Sequence, residues 1–208
     1  MGNDISVVNS ISYYKKILEE KNTEKIPSFK LDKINFLENH DIEDCSLFFI
    51  FSLDTDHDGF ISNSDIETFI QSVHKAGLDP NDCDFRYKCG SYFSEQICAY
   101  LITNGKEKFK EWFRKCIETS FQIVKEEEII YIDGDAVKRI YDILEIHQLL
   151  GCNFQWILDM FQRHAEANFQ MNLNNPELDD FVPVDTILCF VEQIIDGAIE
   201  SYSMLSHR

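Results

Sequence analysis

Turn-making residues are scarce in this chain: four prolines and eight glycines among 208 residues. That excludes collagen-like and low-complexity architectures and leaves long stretches open to helix. Cationic side chains are scarce too. Nineteen Lys and Arg stand against 37 Asp and Glu, a formal net charge of −18. Nucleic-acid binding is excluded on that ground, because phosphate contacts need clustered positive charge. Apolar runs are short, as in Leu47–Phe51 (LFFIF), far below the roughly 20 residues that span a bilayer. The start, MGNDISVV, lacks the basic and apolar regions of a secretory signal. None of the seven cysteines sits in a CxxC pair and their number is odd. Structural zinc is therefore not expected, and reduced, mostly buried cysteines in a cytoplasmic protein are.

What the chain does have is apolar material for a core, 44% of its residues, recurring at spacings of three and four. This predicts helices near 10–20, 31–38, 43–53, 63–76, 83–102, 107–123, 134–149, 154–168 and 185–201, and an all-α fold. In the last of these, Ile187, Phe190, Val191, Ile194 and Ala198 share one face. Charge divides the chain further. Residues 1–78 are net −7, residues 79–122 are neutral, and residues 123–208 are net −11. The expected organisation is an N-terminal lobe over 1–78, a helical connector over 79–122 and a C-terminal lobe over 123–208. Asp79-Pro80-Asn81-Asp82 marks the clearest break.

The strongest local signal is DTDHDGFISNSD at 54–65. A calcium ion takes six to eight oxygen ligands, and a 12-residue loop supplies them from positions 1, 3, 5, 7, 9 and 12. Here these are Asp54, Asp56, Asp58, the Phe60 carbonyl, Ser62 and Asp65. Gly59 stands at position 6, where the chain must turn sharply. Ile61 at position 8 is apolar, as a short bridge to a partner loop requires. His57, at position 4, points outward in such a loop and is no ligand. Phe49, Ile50 and Leu53 before the loop, and Ile66, Phe69 and Ile70 after it, make apolar stripes on flanking helices. The segment resembles an EF-hand. Asp65 departs from that pattern, which prefers a bidentate Glu at position 12. The shorter side chain predicts weaker calcium binding and relatively better magnesium occupancy at the same site.

Three further segments fit the register loosely. Residues 19–30 place Ile26 at position 8, with Leu31 and Ile34 following, but Lys21 and Lys30 occupy ligand positions. Residues 125–136 place Ile132 at position 8, followed by Val137, Ile140 and Tyr141, with Lys125, Ile129 and Ala136 as non-ligands. Residues 175–186 place Val182 at position 8, with Asn175, Glu177 and Asp179 as candidate oxygens but Asp180 and Thr186 off pattern. The resemblance thus implies two EF-hand pairs, one unit intact and three degenerate, with insertions near 83–105 and 162–174. The arrangement is similar to neuronal calcium sensors and the calcineurin regulatory subunit, or to sarcoplasmic calcium-binding proteins.

Met1-Gly2-Asn3-Asp4-Ile5-Ser6 matches the N-myristoylation pattern at Gly2. One acyl chain gives only reversible membrane contact. Residues 106–115 (KEKFKEWFRK) form a basic amphipathic stretch. Two readings stand for it: a segment docked on one of the chain's own acidic lobes, or an ordinary helix with solvated lysines. No phosphate-cradling glycine loop, GxSxG or HExxH is found, and the histidines are scattered, so an enzyme is not expected. The resemblance implies a calcium-binding regulatory protein that changes helix packing and engages a protein target, a basic amphipathic helix by charge. The alternatives are a structural subunit of a cytoskeletal or axonemal complex, and a calcium or magnesium buffer. The expected location is cytoplasmic, with peripheral membrane or cytoskeletal association.

Overall fold

The computed structural model describes residues 6–29, 47–79, 85–143, 163 and 181–206. Gly2, the expected helices 31–38 and 154–168, the candidate oxygens at 175–180 and the insertion at 162–174 (Arg163 apart) lie outside the described residues. The chain divides into two compact units, Met1–Lys108 and Phe109–Arg208. Among the described residues no helix is long and apolar enough to cross a membrane.

In the first unit, helix α1 (Ser6–Lys21) leads into strand β1 (Lys25–Pro27). Its buried residues Ile11, Tyr14, Ile17 and Leu18 follow helical spacing and line one face. Asn22, at φ 45, ends the helix in the left-handed region that Asn tolerates. Helix α2 (Leu47–Leu53), strand β2 (Phe60–Ser62) and helix α3 (Asn63–Lys75) follow. Phe49 and Phe69 meet edge to face at 5.8 Å, joining α2 to α3. Helix α3 is closed at both ends. Ser62 and Asp65 form a capping box at its start. At its finish Gly77 N–H donates to the His74 carbonyl and Leu78 N–H to the Val73 carbonyl, a Schellman ending that needs the positive φ of Gly77.

Helix α4 (Phe85–Ser120) enters both units. The sequence predicts two helices here, 83–102 and 107–123. The structure joins them across Gly105, whose φ of 79 and ψ of 164 interrupt the helical backbone. Within the first unit Ile97, Cys98 and Leu101 are buried.

In the second unit, the end of α4 is followed by strands β3 (Ile123–Glu126) and β4 (Ile129–Asp133), helix α5 (Gly134–Ile143), strand β5 (Phe181–Pro183) and helix α6 (Val184–Ser206). Asp133 caps α5 by accepting from Ala136 N–H at 2.7 Å. The core gathers Phe109, Trp112, Phe113 and Ile117 of α4, Tyr131 and Ile132 of β4, Val137 and Ile140 of α5, and Ile187, Val191 and Ile195 of α6. The basic stretch 106–115 thereby has two fates. Its aromatics are buried, while Lys110 pairs with Glu192 at 3.2 Å and Arg114 with Asp185, both acids on α6.

The all-α expectation is corrected by the structure, which among the described residues has five strands in two antiparallel sheets. One is a β1–β2 ribbon, with Lys25, Ile26 and Pro27 opposite Ser62, Ile61 and Phe60. The other is three-stranded, ordered β3–β4–β5. In it Val124 faces Tyr131 and Ile132 faces Val182. The physical reason is twofold. Three-residue strands carry too little period-2 pattern to stand out against helical spacing. The longer hairpin also fits a loop register from Lys125 on, though Ile123-Val124 and Ile129-Ile130-Tyr131-Ile132 form a β-branched and aromatic pattern around a turn at Glu127 (φ 54). The helix expected over 107–123 gives way to strand at Ile123 for the same reason.

Candidate metal centre

Residues 54–65 form a tight loop between α2 and α3, crossed by β2. Its start continues helix α2, since Asp54 N–H still donates to the Ile50 carbonyl at 2.9 Å. The Asp54 side chain then turns inward and is fully buried. A buried carboxylate is costly unless donors surround it. Asp54 Oδ2 accepts from Gly59 N–H at 2.9 Å and from the Ser28 hydroxyl at 3.2 Å. Asp54 Oδ1 accepts from Asp58 N–H at 3.2 Å. Gly59 can aim its N–H this way because its φ is 88.

Asp56 is exposed and its Oδ1 also accepts from Asp58 N–H, at 3.1 Å. Asp58 is half-buried; its Oδ1 accepts from Phe60 N–H at 2.8 Å. One oxygen from each of Asp54, Asp56 and Asp58 lies within 4.8 Å of the others. Three carboxylates at such range repel one another, and a hard divalent cation is the partner that oxygen donors of this kind suit. The donor set therefore fits calcium or magnesium chemically. Part of the charge is already met by the chain, since Lys25 Nζ lies 3.1 Å from Asp58 Oδ2 and 4.2 Å from the centre of the Phe60 ring.

Ser62 and Asp65 are placed differently from the three aspartates. Asp65 lies outside the group of three, and both its oxygens are engaged locally. Its Oδ1 accepts from Thr55 N–H at 3.1 Å and the Thr55 hydroxyl at 2.6 Å. Its Oδ2 accepts from Ser62 N–H at 2.9 Å and the Ser62 hydroxyl at 2.5 Å. Burial alone pushes the Asp65 carboxyl up, but the Ser62 and Thr55 donors outweigh it and hold the group below the ordinary Asp value. Phe60, whose carbonyl is the expected seventh-position ligand, is paired with Pro27 in the β1–β2 ribbon.

His57 takes a left-handed conformation, φ 56, and stacks on Phe51 at 4.2 Å and near Tyr100 at 5.0 Å. Burial against these rings lowers its pKa from 6.5, and the charges of Asp56 and Asp65 only partly oppose this. Thr55 and His57 border a cavity of about 390 Å³ whose walls include Phe51, Phe69, Tyr92 and Tyr100.

Sequence reasoning missed three contributors to the loop. Ser28 and Lys25 come from the segment paired with it, and no local pattern marks a residue that reaches across 26 or 33 positions. Thr55 sits within the loop but at a position assigned no ligand.

Comparison of the chain with protein-family models, curated proteins and solved structures gives no match.

Proposed function

We propose that the protein is a calcium-responsive regulatory protein of EF-hand type, holding one divalent cation in the 54–65 loop. The observation that carries this reading is the convergence of Asp54, Asp56 and Asp58 oxygens within 4.8 Å, in a loop that leaves one helix and enters another. Two residue pairs lend support. Ile26 opposes Ile61, and Ile132 opposes Val182; each of the four is the apolar eighth residue of its 12-residue register. Asp54, Asp56 and Asp58, the Phe60 carbonyl and Ser62 would hold the ion. Asp65 would join them only by releasing Thr55 or Ser62. That release supplies the switch: the donors tie Asp65, at the first turn of α3, to the loop, so exchanging them for an ion shifts α3 against α2. The walls of the cavity beside Thr55 and His57 would move with α3 and offer apolar surface to a basic amphipathic helix of a protein target.

Hydrophobic-dye binding tests this, measured in magnesium and then with calcium added. A sensor gains dye-accessible surface with calcium, and Asp54→Ala abolishes the gain. A response that survives in Asp54→Ala places the switch elsewhere. Dye binding that calcium leaves unchanged, with one ion bound by calorimetry, favours a permanent structural subunit or a buffer instead.

A further inference from the structure

The cavity of about 390 Å³ lies wholly within the first unit, its lining drawn from α2, the 54–65 loop, α3 and the part of α4 before Gly105. Small-molecule sites run from about 300 to 1,000 Å³. The lining has two properties that select a kind of ligand. The first is aromatic surface supplied by separate elements. Phe51 of α2 lies 4.2 Å from His57 of the loop and 4.9 Å from Tyr100 of α4, ring centre to ring centre. Phe69 of α3 and Tyr92 of α4 add two more rings. Their faces and edges suit a flat aromatic guest.

The second property is the absence of charge. Charged residues make up 27% of the chain, yet among the described residues that line the cavity there is no Asp, Glu, Lys or Arg. Its polar groups are hydroxyls and amides, and several are already engaged. The Thr55 hydroxyl donates to Asp65, the Ser72 and Tyr92 hydroxyls bond to each other, and the Thr103 hydroxyl donates to the Ala99 carbonyl. The Gln96 amide and the Thr68 hydroxyl, both on exposed residues, hold no hydrogen bond among the described residues. An amide of this kind offers two donors and a carbonyl acceptor.

We propose that this cavity binds an uncharged, planar aromatic small molecule that carries hydrogen-bonding groups, stacked among the rings and held at one edge by the Gln96 amide. A charged ligand would give up water for a lining that has no counter-charge to offer, a cost that ring contacts do not recover. A pure hydrocarbon would forgo the Gln96 amide. The proposal goes beyond the calcium reading and does not depend on it, so its test is run in chelator.

Ligand-observed NMR titration of the full chain tests this with three probes that share one ring. Indole-3-acetamide is uncharged, indole-3-acetate is an anion and tryptamine a cation. Indole-3-acetamide is expected to bind with a Kd of about 1 mM or below, as a ligand of its size can. The two charged probes should bind about tenfold more weakly or worse, for want of a counter-charge. Ala99→Leu puts a larger side chain on the lining and should weaken indole-3-acetamide about tenfold at an unchanged melting temperature, because the added atoms take the space of the guest. Gln96→Leu removes the amide from an exposed position and should weaken it about threefold, the worth of one hydrogen bond; it carries the test if Ala99→Leu does not fold. No binding of indole-3-acetamide overturns the proposal. Equal or tighter binding of either charged probe overturns the uncharged assignment, and wild-type affinity in both variants overturns the cavity as the site.

Discussion

Ile26 and Ile61 lie directly opposite one another in the β1–β2 ribbon, both almost completely buried. Three residue pairs make up the whole ribbon, so its backbone hydrogen bonds contribute little by themselves. Burial of this apolar pair helps fasten the 25–28 segment to the loop, beside the Ser28 contacts to Gly59 and Asp54 and the Lys25–Asp58 pair. Ile61→Ala is expected to cost about 2–5 kcal/mol, the range for a large buried aliphatic truncated to Ala. Chemical denaturation of metal-free protein checks this. A loss under about 0.5 kcal/mol, the level of an exposed surface substitution, would refute the ribbon's role.

Gly59→Ala is expected to weaken the loop twice. At φ 88 a side chain strains the backbone, by about 1–2 kcal/mol for left-handed geometry. The same residue aims its N–H at Asp54 Oδ2 and its carbonyl at Ser28 N–H. Metal-free melting temperature and ion affinity should both fall.

Asp65 ties the metal-free protein to pH. Its folded pKa lies below the ordinary 3.8, so the folded state resists protonation more than the unfolded chain does. Its contribution to stability is complete above that ordinary value and is lost as the pH falls through the lower folded one. Melting curves in chelator from pH 6 down to pH 3 should show a steeper decline for wild type than for Asp65→Asn. Parallel declines would mean that Thr55 and Ser62 do not favour the ionised carboxylate.

His57 should be neutral at pH 7, with a proton NMR titration midpoint below 6.5, because burial opposes its charging. The sign on stability follows. The unfolded chain takes up a proton near the ordinary value while the folded form resists, so the His57 contribution is present above 6.5 and falls away below it. Tyr100→Ala opens one side of the ring stack and should move the midpoint up.

Trp112 and Arg114 separate packing from charge in the same basic stretch. Trp112 is 1% exposed, and Trp112→Ala is expected to cost about 3–5 kcal/mol. The Arg114–Asp185 pair is open to solvent on both sides, and Arg114→Ala should cost less than about 1 kcal/mol. Trp112 emission, read in a Trp156→Phe background, should be that of a buried indole and resist acrylamide quenching.

Much of this was legible along the chain. Helical spacing placed α1, α3 and α6 within a few residues of where they stand, because each buries one stripe and exposes the rest. Residue type and interval alone picked out the aspartates at 54, 56 and 58, and the structure brings one oxygen of each within 4.8 Å of the others, as a group that could hold a metal ion. The eighth-position residues Ile26, Ile61, Ile132 and Val182 could be aligned by register before any partner was visible. The gap between the expected helices 83–102 and 107–123 contains Gly105, where the structure shows one helical run interrupted. The β3–β4 hairpin does not stand out from the sequence, because the residues from Lys125 on also fit a 12-residue loop register.

By itself, the sequence determined which residues have the chemistry to hold a hard cation and which faces must be buried, since both follow from residue type and local spacing. Tertiary structure decided the rest. It brought Lys25 to Asp58 and Ser28 to Asp54 from the paired segment. It engaged Asp65 with Thr55 and Ser62, and it turned the 106–115 aromatics into a core with its cations on Glu192 and Asp185. Such contacts join positions far apart in the chain. Their energies depend on burial and on which donors converge, quantities that exist only once the backbone has closed around them.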